Sequence, residues 1–92
     1  MIKSFKCRNT QLIFEGKCPK QFKAFKSTAE RKLQLLDSAM TIEDLKSPPG
    51  NRLEQLKGNR TGQWSIRIND QFRLCFQFEN GEVSQVEIVD YH

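Results

Sequence analysis

The stretch Trp64-Ser-Ile-Arg-Ile-Asn-Asp-Gln-Phe-Arg-Leu-Cys-Phe76 decides the fold. Trp64, Ile66 and Ile68 alternate with Ser65 and Arg67. After Asn69-Asp70-Gln71, the residues Phe72, Leu74 and Phe76 alternate with Arg73 and Cys75. Apolar residues at every second position mark half-buried strands, and the polar residues between them mark a short turn. With both apolar rows on one face, Ile68 lies opposite Phe72 and Ile66 opposite Leu74. That register sets Arg67 across from Arg73 on the other face, where like charges destabilise a sheet. An anion shared between the two guanidinium groups would relieve the repulsion.

Working outward, Asn80-Gly81 signals a second hairpin. A two-residue loop there pairs Phe78 with Val83 and Phe76 with Gln85, which throws the apolar rows out of phase. A three-residue loop, Glu79-Asn80-Gly81 with Gly81 left-handed, restores the phase. It places Phe72 opposite Ile88, Leu74 opposite Val86 and Arg73 opposite Glu87. The expectation is three antiparallel strands, roughly 63–68, 72–78 and 83–90, with residues 2–5 as an edge strand.

Upstream, Phe22, Phe25, Ala29, Leu33, Leu36 and Met40 recur at steps of three and four. They form the apolar stripe of one amphipathic helix from Lys20 to Ala39, packed against the sheet. A shorter helix is expected over Thr10–Lys17, capped by Asn9 or Thr10 and ended by Gly16. Thr41-Ile-Glu-Asp44 has the spacing of a helix start, and Ser47-Pro-Pro-Gly50 stops whatever it begins. The fold class is therefore α+β: a small twisted antiparallel sheet with N-terminal helices on one face and the other face open.

The 92 residues suit one domain spanning 1–92. No apolar run approaches the roughly 20 residues needed to cross a bilayer. The segment MIKSFKCRNT lacks the apolar core of a secretion signal, so a cytoplasmic location is expected. Cys7, Cys18 and Cys75 have no paired spacing and no companion histidine cluster, so they read as reduced thiols and no metal site is expected. The net charge of +4 is unevenly placed. Between Asn51 and Cys75 the basic residues Arg52, Lys57, Arg60, Arg67 and Arg73 outnumber Glu54 and Asp70, whereas no lysine or arginine follows Cys75. A basic middle segment points to an anionic partner.

Strand parity collects Ser65, Arg67, Arg73, Cys75, Gln77 and Glu87 on the open face. The loop Leu-Lys-Gly-Asn-Arg-Thr-Gly-Gln-Trp, residues 56–64, precedes it, and the chain ends on Asp90-Tyr91-His92. Each feature alone has a plain explanation: solvated loop cations, an Arg73–Glu87 cross-strand pair, a frayed terminus. Together they suit a phosphodiester, since the guanidinium fork matches phosphate oxygens. Basic side chains with a histidine and a tyrosine can also support RNA cleavage without a cofactor. In that chemistry a 2′-hydroxyl attacks the adjacent phosphate and cations stabilise the charge that develops. The residues themselves leave RNA binding and RNA cleavage both open.

The combination of LEQLKGNRTGQWSIRINDQFRLCF, a C-terminal VEIVDYH, MIKSF and SPPGNRLEQLKG resembles the HigB toxins of the RelE/ParE toxin–antitoxin superfamily, over nearly the whole chain. The resemblance implies a RelE-like fold and a ribosome-dependent messenger-RNA endonuclease cutting codons in the A site. It implies two partners, the 70S ribosome with mRNA and a HigA-like helix-turn-helix antitoxin, and no cofactor. It places catalysis on Lys57, Arg73, Asp90, Tyr91 and His92, and backbone contacts on Arg60 and Arg67. Two departures follow. Some relatives carry a histidine two or three residues before the lysine of LKG, where this chain has Glu54-Gln55. Strict alternation also sends Tyr91 to the arginine face but Asp90 and His92 to the other, so a bulge near Val89 is needed to unite all three. The alternatives are a ParE-like toxin directed at gyrase and a non-catalytic RNA-binding module.

Overall fold

Period-two alternation and the Asn69-Asp70-Gln71 turn produce the strand pair they specify. The computed structural model describes residues 1–91. Strand β2 spans Gln63–Arg67 and β3 spans Phe72–Glu79, antiparallel, with Ile66 opposite Leu74 and Arg67 opposite Arg73. The Asn69 side chain closes the turn by accepting the backbone N–H groups of Gln71 and Phe72 at 2.9 and 2.8 Å. Two further strands complete a four-stranded sheet in sequential order: β1, Glu54–Gln55, and β4, Glu82–Asp90. Strand β1 pairs with β2 through Glu54–Ser65 and Gln55–Trp64. Two polar residues carry no alternation, so this strand was not legible.

The second hairpin corrects the expected loop. Asn80 and Gly81 both take positive φ, 53° and 80°, in a two-residue turn that pairs Glu79 with Glu82 and Phe78 with Val83. The phase error this creates is removed further along, by a bulge between Cys75 and Gln77 of β3 and their partners on β4. Gln85 sits there with φ 53°, the extra residue on the β4 side. Beyond it Leu74 faces Ile88, Cys75 faces Glu87 and Arg73 faces Val89, in place of the expected Val86 and Glu87 partners. The bulge coincides with the edge contact of the N-terminal segment. Ile2 and Phe5 bridge Val83 and Val86 in parallel, and Ser4 Oγ accepts the Gln85 backbone N–H at 3.0 Å. Residues 2–5 thus lie at the sheet edge as expected, joined by single bridges rather than a continuous ladder.

The helical layer is divided differently from the sequence pattern. Helix α1 runs Arg8–Phe14 from a Cys7 cap, two residues earlier than expected. Thr10 is buried inside it, and its hydroxyl accepts the Ile88 N–H at 3.0 Å, tying helix to sheet. Gly16 ends this segment at φ 93°. The expected helix from Lys20 to Ala39 is instead a 3-10 segment, Lys20–Phe25, followed by α2, Lys26–Ser38. The reason is aromatic packing. A 3-10 turn eclipses residues three apart, so Phe22 and Phe25 lie together, ring centroids 5.5 Å apart, against Phe72 at 6.2 and 4.6 Å. Met40 falls outside the stripe, 79% exposed, because the backbone is already extended at Ala39. The start at Thr41 forms its reciprocal cap with Asp44 and leads into a short 3-10 segment, Ile42–Lys46.

The core is Ile13, Phe22, Ala29, Leu33, Leu36 and Leu45 from the helical side against Ile66, Leu74, Phe76, Val83, Val86 and Ile88 from the sheet. Among the described residues no helix is long and apolar enough to cross a membrane. The bulge yields a stability test. A β-branched residue is strongly disfavoured in the left-handed region, so Gln85→Val should cost about 1–2 kcal/mol in urea denaturation, while Gln85→Gly is tolerated. Equal midpoints for the two variants would show that the bulge does not set the phase.

Candidate functional site

Strand parity places Ser65, Arg67, Arg73 and Cys75 on the face away from the helices, and the register joins them in facing pairs, Arg67–Arg73 and Ser65–Cys75. The expectation of an open face needs correction. Ser65 and Cys75 are fully buried and Arg73 is only 9% exposed. The segment after Pro49 crosses this face through a turn in which Arg52 takes φ 45° and ψ 57°. That left-handed residue presents its carbonyl to the Arg73 guanidinium. Arg73 Nε also donates to Ser65 Oγ at 2.8 Å, and its Nη1 lies 3.6 Å from a Glu54 carboxylate oxygen. Two sides of the fork are therefore fixed by the fold, and the third meets an exposed carboxylate.

The expected repulsion between the facing arginines is met within the chain. Arg67 pairs with Asp70, three residues on, and Arg73 with Glu54. An outside anion is thus not required for folding. Both carboxylates are exposed, Glu54 by 56% and Asp70 by 98%, and exposed pairs of this kind contribute roughly 0–1 kcal/mol. They are weakly held, so another anion can compete for the same guanidinium edges. Arg52, Glu54, Arg67, Asn69, Asp70, Arg73 and Tyr91 together line a cleft of about 280 Å³.

Tyr91 belongs to this cleft, as alternation from β4 predicted. Its backbone N–H donates to Gln71 O at 2.7 Å, and its ring lies 5.8 Å from the Arg73 guanidinium carbon, within cation–π range. The phenol is hydrogen-bonded to the Cys75 thiol, and burial raises the pKa of both groups. The tyrosine thus stays a neutral donor through the physiological range. Asp90, paired with Phe72 in the ladder, takes a hydrogen bond from Gln71 Nε2 at 3.1 Å. The strand remains regular past the bulge at Gln85, and no bulge at Val89 turns Asp90 toward Tyr91. His92 lies outside the described residues.

The remaining expected residues sit on either side. Arg60 does not line the cleft. It bonds Glu87 at 2.9 Å and Gln63 at 3.2 Å, and the Glu87 carboxylate holds its pKa above the ordinary guanidinium value. Glu87, which also lies 3.6 Å from Lys6, therefore serves Arg60 and not Arg73. Lys57 opens the 3-10 turn Gly58–Arg60, is exposed, and forms no ion pair among the described residues. The structure thus unites Arg67, Arg73 and Tyr91, and leaves Lys57 and Arg60 on the neighbouring loop. Arg52 was missed. Its signal was present, a cation two residues after Gly50 in the basic segment, but only the backbone turn reveals that it faces Arg73.

A helical layer over a four-stranded antiparallel meander is the architecture of the small RelE-like toxins. Staphylococcus aureus YoeB, in a complex of YoeB with YefM described as a toxin–antitoxin heterotetramer, superposes with a TM-score of 0.64 at 22% identity, covering 100% of this chain and 95% of that one. That likeness concerns the fold. The HigB-like toxin family, described as the RelE-like toxin HigB of type II toxin–antitoxin systems, matches residues 8–92, and the chain belongs to it. Toxin HigB-1 of Vibrio cholerae is 55% identical over 51 residues, so the alignment spans 55% of this chain and about half, 54%, of that relative. A protein of Proteus vulgaris named Endoribonuclease HigB is 37% identical over 95 aligned positions, covering both chains completely.

Because the chain has a single tyrosine, the site's electrostatics can be read directly. Phenolate absorbance should titrate above the ordinary value of 10.0, and Cys75→Ala should lower the midpoint. The folded state holds this proton more tightly than the unfolded one, so stability present below pH about 10 is lost as pH rises through that range. A midpoint at or below 10 would show that the phenol is not buried against Cys75.

Proposed function

We propose that this toxin is an endoribonuclease that enters the ribosomal A site and cleaves messenger RNA, and that a HigA-like helix-turn-helix antitoxin neutralises it in the cytoplasm. One observation carries the reading: Arg67 and Arg73, paired across β2 and β3, line one cleft with Arg52 and Tyr91, and the carboxylates there among the described residues, Glu54 and Asp70, are exposed. The name of the Proteus vulgaris relative supports the reaction class.

In this mechanism the RNA backbone displaces Glu54 and Asp70. The scissile phosphate takes the free edge of Arg73, which Ser65 and the Arg52 carbonyl hold in position. A 2′-hydroxyl attacks phosphorus, its proton leaves to a base, the P–O5′ bond breaks, and a donor returns a proton to O5′. The products are a 2′,3′-cyclic phosphate and a 5′-hydroxyl. Negative charge grows on the nonbridging oxygens, where preorganised cations act most strongly. Lys57, uncommitted to any carboxylate among the described residues, supplies a mobile charge from the adjacent loop. Tyr91 stacks on a base or donates to the phosphate, since its phenol keeps its proton. His92 is the proton-transfer group of choice, its unperturbed pKa lying near working pH. Asp90 orients it from the other side of the regular strand. Arg60 and Arg67 hold flanking phosphates.

Lys57→Ala should reduce single-turnover cleavage on programmed ribosomes by about 100-fold or more, as loss of an oxyanion-stabilising group does. The exposed position should leave thermal stability unchanged. Undiminished cleavage would remove Lys57 from the mechanism. Intact mRNA with the wild-type chain, alongside salt-sensitive binding, would replace catalysis with plain RNA binding, and inhibition of gyrase would point to the ParE-like reading. Glu54→Gln removes a carboxylate that competes with the phosphate and should tighten RNA binding several-fold. Weaker binding would mean that Glu54 is required to orient Arg73.

A further inference from the structure

A second cavity, of about 490 Å³, lies along the outer side of α2, lined by Arg31, Lys32, Gln34, Leu35, Ser38 and Pro48. The turn from Pro48 to Arg52 connects it to the cleft, since Pro48 lines the groove and Arg52 lines the cleft. Asn51 pins this turn. Fully buried, its amide donates to Leu45 O and Ser47 O, each at 3.2 Å, and its side-chain oxygen accepts from Lys32 Nζ.

We propose that this groove is a second nucleotide subsite, which receives a base of the single-stranded RNA flanking the scissile linkage while Arg31 and Lys32 hold its phosphate. The proposal deepens the RNA-cleaving reading and rests on it. The groove's chemistry fits a nucleotide. Leu35 and Pro48 give an apolar slot for a base, with Gln34 and Ser38 at its polar margin, and bases without sequence context bind such slots by stacking. Neither Arg31 nor Lys32 forms an ion pair among the described residues, and no carboxylate lines the groove. Burial, then the nearby charges of Arg31 and of Arg67 in the cleft, hold the Lys32 pKa below the usual lysine value. Lys32 reaches Asn51, the residue next to Arg52 of the cleft, so one turn joins the two sets of cations. An RNA strand leaving Arg52 along this turn meets Lys32 next, and a phosphate there neutralises both cations.

The test uses the full chain and two fluorescent RNAs, each with a 2′-deoxy sugar at the cleavage position so that it is bound but not cut. One is about three nucleotides long and spans the cleft alone; the other is about six and reaches the groove by the backbone spacing of an extended strand. Arg31→Gln, which alters an exposed side chain, and Lys32→Gln are compared with Lys3→Gln, an equal charge change at the sheet edge. The expected result is that the groove variants weaken the longer RNA by several-fold to about tenfold and flatten its salt dependence by about 0.7 for each phosphate no longer neutralised. The short RNA and the Lys3→Gln variant should bind as before. Equal weakening for both RNA lengths, or unchanged binding with Arg31→Gln, would overturn the subsite and leave cleavage untouched. Retained RNA affinity with weakened antitoxin binding would also overturn it, assigning the groove to a protein segment. A wild-type chain that binds neither RNA contradicts the underlying reading and the subsite with it.

Discussion

The β2–β3 register is the constraint on which the site depends. Apolar alternation buries Ile66 against Leu74 beneath the helices, and the pleat then leaves no choice about where Arg67 and Arg73 go. Slipping one strand by one residue would carry its arginine into the core, where an unpaired cation is prohibitively costly. Core packing and cation placement are therefore one decision. The energy that holds the arginines face to face comes from hydrophobic burial on the other side of the sheet.

That arrangement would strain the fold if nothing answered the charge. The chain answers it in two ways of unequal permanence. Buried, neutral acceptors grip Arg73 through Ser65 and the Arg52 carbonyl and set its direction. Exposed carboxylates, Glu54 and Asp70, balance the charge from the solvent side. The first kind preorganises the guanidinium; the second can yield to a ligand. A left-handed backbone at Arg52, costly for a residue with a side chain, fits this division, since it aims a carbonyl at one arginine and brings another cation to the cleft.

Much of this was legible in the amino-acid sequence, because it follows from period-two alternation. The Arg67–Arg73 pairing, the face shared by Ser65 and Cys75, and the arrival of Tyr91 beside Arg73 were all readable from parity. Misreadings arose where tertiary contacts choose between local solutions. The Asn80-Gly81 turn kept its preferred two-residue form, and the phase was corrected at Gln85, where the Ser4 hydroxyl supports a bulge that no local pattern encodes. The 3-10 segment before α2 likewise answers to Phe72, a residue far along the chain. The pairing of Arg60 with Glu87 depended on that same bulge, since it decides what stands opposite Arg73. Glu87 was the expected carboxylate partner of Arg73, and Glu54 went unforeseen because β1, two residues long, was invisible.

Glu54 and Asp70, on this view, hold places that a phosphodiester takes. NMR of the arginine side-chain nitrogens, followed while an uncleavable RNA trinucleotide is added, tests that claim most directly. The signals of Arg67 and Arg73 should shift together at one saturating stoichiometry, while the Arg73 Nε contact with Ser65 persists. Unmoved Arg67 and Arg73 signals at saturation, with the RNA seated elsewhere, would contradict it.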